Sequence, residues 1–435
     1  PTFHNLFNLL FVTNRNLVHL IKDKHSAFFE ADGTPKPYYW VNLHARAHVV
    51  GPLDEDKIRA VFGVPKLLLF VENMFIWPMQ ADLLNRDTAN SPLMWGCEIM
   101  RGGWKRLRRL IQSKMGSSFY NVLSADWSQF DRRALHSIID DVHDTWHSFF
   151  DWSGSYQPTS FYPNAQTDPQ RLQNLWTWFT HNVKHYPTLL PDGSVYQWTF
   201  NGIASGFQET QLLDSWVNGI MLLTCLSELG VNIEATRFFV KLQGDDSIVC
   251  FGEDFFRLYG KKLFLKLMSD IAMKRFNAKL SVDKSDFHDQ LDNVYVLGYY
   301  NKQGMAYRTD VDLLSHLLFP ERPQRLPESA GTCIGLALAS MGCSQAVYDT
   351  LKDAFDFLVN ELGITPELSD WYSRDLYYMG GDHAIESLYD KDGRLTFPTF
   401  QQCMFQNFIL ESRSESQKQR TWPTDPFVKN GFMFL

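Results

Sequence analysis

Residues 240–251 read VKLQGDDSIVCF, two apolar runs of strand character separated by a glycine and two adjacent aspartates. Apolar runs this short and this continuous suit buried strands. The Gly-Asp pair between them has the chemistry of a tight hairpin turn, because glycine supplies the backbone angles such turns need. The segment therefore predicts a buried hairpin whose tip carries two negative charges side by side. Neighbouring carboxylates in that position need a proton or a cation to compensate them. As a turn alone the stretch asks for nothing more; as a ligand site it asks for further carboxylates from elsewhere in the chain.

Such groups exist upstream. SADWSQFDRRAL (124–135) places Asp126 and Asp131 five apart, where a short strand meets a predicted amphipathic helix over 135–150. Read alone, Asp131 is equally a helix N-cap. NGIASGFQETQLLDSWVN (201–218) combines a Ser-Gly turn with a helix predicted from Gln208 to Leu229. Thr210, Asp214 and Asn218 recur four apart on one polar face of it. Ser205 reads either as that helix's N-cap or, with Thr210 and Asp214, as a donor set for a sugar hydroxyl.

Around these segments the pattern is mixed. Loop-forming residues crowd 151–170 and predict an insertion or lid, and PDG at 191–193 predicts a hairpin. A basic helix is expected over roughly 254–276 and a strand in VYVLGYYN (294–301). Helices are expected from about 310 onward, with PERPQRLPES (320–329) as a linker.

Bulk properties narrow the class. With 435 residues, 45% hydrophobic and 21% charged, the chain has the makings of a globular fold of two or three subdomains. No membrane segment is expected; the nearest approach, LLDSWVNGIMLLTCLSEL (212–229), is interrupted by Asp214, Asn218 and Glu228. Six scattered cysteines without a CxxC pair predict free thiols, no disulfides and no structural metal. The chain opens on Pro1 without a secretory signal, so it reads as unsecreted and as lacking its initiating end. The net charge of −8 argues against coating nucleic acid by overall charge. Locally, however, 99–125 holds no acidic residue but carries Arg101, Lys105, Arg106, Arg108, Arg109 and Lys114. That stripe is either a solvated helix face or the wall of a nucleic-acid channel.

Taken in order, D-x4-D, SG-x3-T, GDD and the lysine of VDKS (282–285) resemble motifs A, B, C and D of viral RNA-dependent RNA polymerases. The form SG-x3-T-x3-D-S-x2-N is similar to the enzymes of partitivirus-like double-stranded RNA viruses, with picobirnaviruses as cousins. KIRAVFGVPK (57–66) resembles the basic motif F, and VYVLGYYN resembles motif E. The likeness runs from about Arg46 to Arg308. Asp214 departs from the asparagine of many positive-strand enzymes, which leaves two carboxylates, Asp131 and Asp214, to be reconciled by a proton or a cation.

The resemblance implies an α+β right-hand polymerase fold: fingers (1–115, with motif F), palm (116–150, motif A), a fingers insertion (151–198), palm with an antiparallel sheet (199–309) and a helical thumb with the C-terminal region (310–435). It implies two Mg²⁺ ions, for which Mn²⁺ can substitute, on Asp126, Asp245 and Asp246. Lys284 becomes a candidate general acid. Arg59, Asp131, Ser205, Gly206, Thr210, Asp214 and Asn218 would meet the incoming nucleotide. Lys57, Lys66, Arg101, Lys105, Arg106, Arg108 and Arg109 would meet RNA. Implied partners are template and product RNA, NTPs and a viral capsid protein, within a virion or the host cytoplasm. Two alternatives stand beside this reading: a reverse transcriptase-like polymerase, and a non-catalytic RNA-binding or capsid-associated protein with a polymerase-like fold.

Overall fold

The computed structural model describes residues 3–47, 50, 58–153, 168–368 and 388–408. The chain begins with α1 (Phe7–Lys22), the antiparallel strands β1 (Val41–Ala47) and β2 (Ile58–Gly63), and helices α2 (Lys66–Asn85) and α3 (Gly103–Met115). Strands β3 (Asn121–Ser124) and β4 (Trp127–Ser128) follow, then the single turn α4 (Phe130–Arg133) and helices α5 (His136–His147) and α6 (Pro169–Lys184). The hairpin β5 (Pro187–Leu189) and β6 (Val195–Gln197) precedes α7 (Thr210–Glu228), β7 (Phe238–Gln243), β8 (Asp246–Phe251) and α8 (Phe255–Phe276). Short strands β9 (Lys279–Leu280), β10 (Asp286–His288), β11 (Tyr295–Val296), β12 (Tyr299–Lys302) and β13 (Met305–Tyr307) lead into α9 (Asp310–Leu318), α10 (Leu326–Ala339), α11 (Gln345–Asp356) and α12 (Phe400–Phe405).

The central sheet has the order β10-β3-β8-β7 and every pair in it is antiparallel. Its strands are apolar on both faces because each face meets a different core. Val249 and Phe251 of β8, Leu123 of β3 and Leu242 of β7 join the large core that includes α7 and α8. Their alternates Ile248, Cys250, Val122 and Phe239 join a second core with Trp104, Leu107 and Ile111 of α3. The period-two alternation thus splits one apolar run between two layers. Stacked rings of Phe251, Phe264 and Phe287 tie β8, α8 and β10 together, the closest centroids being 4.0 Å apart. Each such pair adds roughly 0.5–1.5 kcal/mol beyond its burial. A second sheet, β2-β1-β5-β6, lies on the N-terminal side of the chain, and β11-β12-β13 forms a third. Helices α9 to α11 have their own core around Leu313, Ile334, Leu338, Leu351 and Phe355.

Several sequence expectations are corrected here. The basic helix is broken at Gly260 (φ 65°, ψ 169°), so α8 is two helical pieces and not one. The expected linker 320–329 ends early, because Leu326–Ser329 already form the first turn of α10, with Pro327 near its start, where a missing N–H costs nothing. Ser205 is not the N-cap of α7; that position belongs to Glu209. Asp131 caps no helix either, since it lies inside α4. Among the described residues one helix, α2 over Lys66–Leu84, is long and apolar enough by composition to cross a membrane, and it is not the segment singled out from sequence. Its apolar face, Leu67, Leu68, Val71, Phe75 and Ile76, is buried in the large core. The predicted lid falls largely on 154–167, outside the described residues.

Candidate active site

The hairpin tip is a two-residue turn, with Gln243 opposite Asp246 and Gly244-Asp245 between them. Gly244 takes φ +61° while Asp245 stays out of the positive-φ region, the sign pattern of a II′ turn. Asn218, reaching from α7, fixes this turn. Its amide donates to the carbonyls of Gly244 and Asp245, both at 3.0 Å, and its oxygen accepts from Trp127 Nε1 at 2.8 Å. One turn earlier in α7, Ser215 Oγ accepts the Gly244 N–H at 2.8 Å. Asn218 is fully buried. This corrects its assignment to the sugar: every polar atom it owns is used to hold the turn.

Strand β3 delivers Asp126 to the same place. Its register against β8 pairs Leu123 with Val249, and carried forward it sets Ala125 beside Ser247 and Asp126 beside Asp246. Three bonds hold this main chain. The Ala125 N–H donates to Ser247 Oγ (3.3 Å), the Asp126 N–H to Ser285 Oγ (3.0 Å), and the Ser281 N–H to the Asp126 carbonyl (2.8 Å). The Asp126 side chain remains exposed. Lys284 is also exposed, in the 281–285 turn that grips Asp126.

Negative charge concentrates around the tip. Burial raises the Asp245 carboxyl above its usual range, and Asp126 raises it further while Arg59 opposes. Asp246 is pushed up to about 6, first by burial and then by Asp245, with the Leu297 N–H favouring its anion. Asp131 is raised by burial and by Asp245, again against Arg59. Asp214 is nearly buried and raised well above the ordinary carboxylate range by burial, Asp131 and Asp245; its Oδ1 has no hydrogen-bond partner. Segments far apart in sequence therefore converge electrostatically on one point.

All the converging donors are carboxylate oxygens, the set preferred by Mg²⁺. Among the described residues no three His, Cys, Asp or Glu side chains form a ready-made metal cage. Mg²⁺ binds through one or two carboxylates and completes its shell with water and substrate phosphates. The mutual repulsion of Asp126, Asp245 and Asp246 also fits a divalent cation. The arrangement thus fits the implied ions, with Asp126 and Asp245 as exposed donors and Asp246 half-buried behind them.

The 204–210 segment sits beside this cluster. The Ile203 N–H donates to the Asp131 carbonyl at 2.7 Å, joining it to α4. Thr210 Oγ1 donates to the Ala204 carbonyl at 2.9 Å, so its proton closes the loop and is not offered to a ligand. Ser205 is exposed, its Oγ 3.5 Å from the Ala60 carbonyl of β2. Gly206 has a steric reason: a Cβ there would lie 2.2 Å from the Phe62 carbonyl oxygen. That close approach brings β2, with exposed Arg59, against the loop.

The basic stripe of α3 is partly committed inside the protein. Arg101 pairs with Glu98 (3.5 Å), Arg106 donates to the Gly96 carbonyl, and Lys105 Nζ lies 3.4 Å from the Phe408 ring centroid. These contacts tie part of the stripe to the protein, whereas Arg109 and Lys114 are exposed. Lys66, the first residue of α2, is exposed, while Lys57 lies outside the described residues. The serines at 215, 247 and 285 went unread in the sequence, although each stands inside a motif quoted for its charged neighbours.

A sequence model described as viral RNA-dependent RNA polymerase matches residues 12–302. The RNA-directed RNA polymerase of White clover cryptic virus 1 (isolate Boccardo/2004) is 30% identical over 447 residues, covering 98% of this chain and 69% of that protein. The RNA-directed RNA polymerase of Atkinsonella hypoxylon virus (isolate 2H) is 27% identical over 354 residues, or 75% of this chain and 51% of that protein. The chain thus spans about two thirds and half of these relatives. Among solved structures, an insertion-loop deletion mutant of the RNA-dependent RNA polymerase of a human picobirnavirus matches with a TM-score of 0.51 at 12% identity. The match covers 78% of this chain and 61% of that one. At that identity the likeness is one of fold, and the fold is the α+β right hand.

Proposed function

The chain belongs to the viral RNA-dependent RNA polymerases, and from that premise we propose that Asp126 and Asp245 form the cation-holding pair of its template-directed RNA synthesis site. The single observation carrying this reading is the electrostatic coupling of Asp126 to Asp245 and Asp246, in line with the β3–β8 register continued past its last pair, Leu123 with Val249. Two Mg²⁺ ions, when bound, would activate the 3′-hydroxyl and neutralise the triphosphate. The chain's own residues have separate tasks. Ser215, Asn218, Ser247 and Ser285 fix the main chain under the carboxylates, so that no reorganisation is needed when charge develops. Arg59 answers the triphosphate from β2. Ser205, Asp131 and Asp214 face the ribose, with the Asp214 carboxyl raised by burial and its acidic neighbours. Lys284 is the proposed proton source for the departing pyrophosphate. Arg109 and Lys114 are the cations of α3 proposed for RNA.

We assign residues 1–115 and 151–198 to fingers, 116–150 and 199–309 to palm, and 310–435 to thumb and C-terminal region. Capsid protein as partner, and a virion or cytoplasmic location, belong to the same proposal. The test is extension of an RNA template by the purified protein with Mg²⁺ and NTPs or dNTPs. Wild type extends with NTPs and discriminates against dNTPs, whereas D126N and D245N lose more than about 100-fold in rate. Undiminished extension by D245N overturns the assignment, and a preference for dNTPs favours a reverse transcriptase.

A further inference from the structure

We propose that Glu72, Gln80, Glu209 and His143 are positioning residues for ribose selection, a buried clamp that fixes the angle at which the 204–210 loop presents Ser205. The inference rests on the reading above that Ser205 faces the sugar. A single peptide unit, between Gln208 and Glu209, is gripped at both ends by one face of α2. Gln80 Nε2 donates to the Gln208 carbonyl at 3.1 Å, and the Glu209 N–H donates to Glu72 Oε1 at 2.7 Å. Glu72 and Gln80 stand about two helical turns apart, so both reach the same side. Gln208 Nε2 returns a bond to Gln80 Oε1 at 3.0 Å. From the other side, α5 contributes His143, whose Nε2 lies 3.2 and 3.3 Å from the two Glu209 carboxyl oxygens.

This cluster is buried. Glu72 and Glu209 are 0% exposed and His143 2%. Glu72 Oε2 and His143 Nδ1 are buried without a hydrogen-bond partner. Burial raises both glutamates well above the usual range, Glu72 also through Glu209, and drives His143 down to about 3. Both shifts favour the protonated carboxyl, and that of His143 favours the neutral imidazole. Such a cluster is poor value for stability, since apolar side chains of similar size would pack at least as well. What apolar packing cannot do is define the plane of the 208–209 peptide. With that plane fixed, Thr210 closing the loop onto Ala204 and Gly206 seated under the Phe62 carbonyl, the loop that carries exposed Ser205 is pinned around it, with Ser205 Oγ 3.5 Å from the Ala60 carbonyl.

The test compares E72L, E72Q and Q80L with wild type for kcat and KM on NTP and on the matching dNTP, alongside thermal unfolding and template RNA binding. E72L removes the acceptor of the Glu209 N–H. Its discrimination ratio falls about tenfold or more, through a raised KM for NTP, while turnover of dNTP changes little. E72Q keeps an acceptor for the Glu209 N–H and restores discrimination to near the wild-type ratio. Should E72L fail to fold, Q80L frees the other end of the same peptide unit and carries the same prediction at smaller size. Folded E72L or Q80L with wild-type discrimination overturns the inference. So does a proportionate loss on NTP and dNTP, which marks the cluster as scaffold only. If wild type itself fails to extend RNA or to discriminate, the reading of the site fails instead.

Discussion

At the scale of single residues, the site divides into charged groups that the motif order singled out and hydroxyls that it did not. Asp126, Asp131, Asp214, Asp245 and Asp246 each read equally well as turn or helix residues when taken singly, and only the order of the motifs that hold them pointed to one site. Ser247 and Ser285 went unread. Their hydroxyls matter only because strand register carries the Ala125–Asp126 main chain to them from more than a hundred residues away. Asn218 was found for the wrong reason: spacing placed it on the polar face of α7, but burial turned that position inward to the Gly244–Asp245 turn. Asn218→Leu accordingly leaves two carbonyls and the Trp127 N–H without partners. Urea denaturation of that variant should show a loss of about 2–4 kcal/mol, and RNA synthesis should fall with it. An unfolding midpoint equal to wild type would mean that the turn does not depend on this amide.

At the scale of elements, the two glycines of the site have different physical reasons, which substitution by alanine separates. Gly244 has open space around it and a φ of +61°, so G244A costs about 1–2 kcal/mol of conformational strain and no steric clash. Gly206 has an ordinary φ but no room, since its Cβ would meet the Phe62 carbonyl at 2.2 Å. G206A therefore pushes β2 and the loop apart, and the account expects a raised KM for NTP as Arg59 retreats with β2. Steady-state kinetics on both variants checks this: G244A should lower stability with the NTP KM kept, and G206A should raise that KM. Periodicity located α5, α7 and the helices after 310, whereas α1, α2 and α6 went unread. The break in α8 also went unread, because a lone glycine in a helical pattern does not declare whether its φ will turn positive. Glu72, the one acidic residue in the stretch KLLLFVENMFIW, went unread in the sequence, because its partner lies 137 residues away.

At the scale of the whole molecule, the fold serves to bring acidic groups together that would repel one another in any unconstrained chain. Two apolar cores sandwich the central sheet and hold β3 against β8, while α7 braces the hairpin tip. The net charge of −8 is thus compatible with an RNA-handling protein whose most concentrated negative charge is reserved for cations. That the hairpin would be buried followed from its unbroken apolar strands; the internal contacts of Arg106 and Lys105 depended on Gly96 and Phe408, which no periodicity in α3 encodes. The most direct measurement of the central claim is anomalous diffraction from crystals of the protein soaked in Mn²⁺. The account predicts an anomalous peak between the carboxylates of Asp126 and Asp245, lost in D245N crystals. A peak elsewhere with none between those two groups, or the two carboxylates turned away from each other, would contradict it.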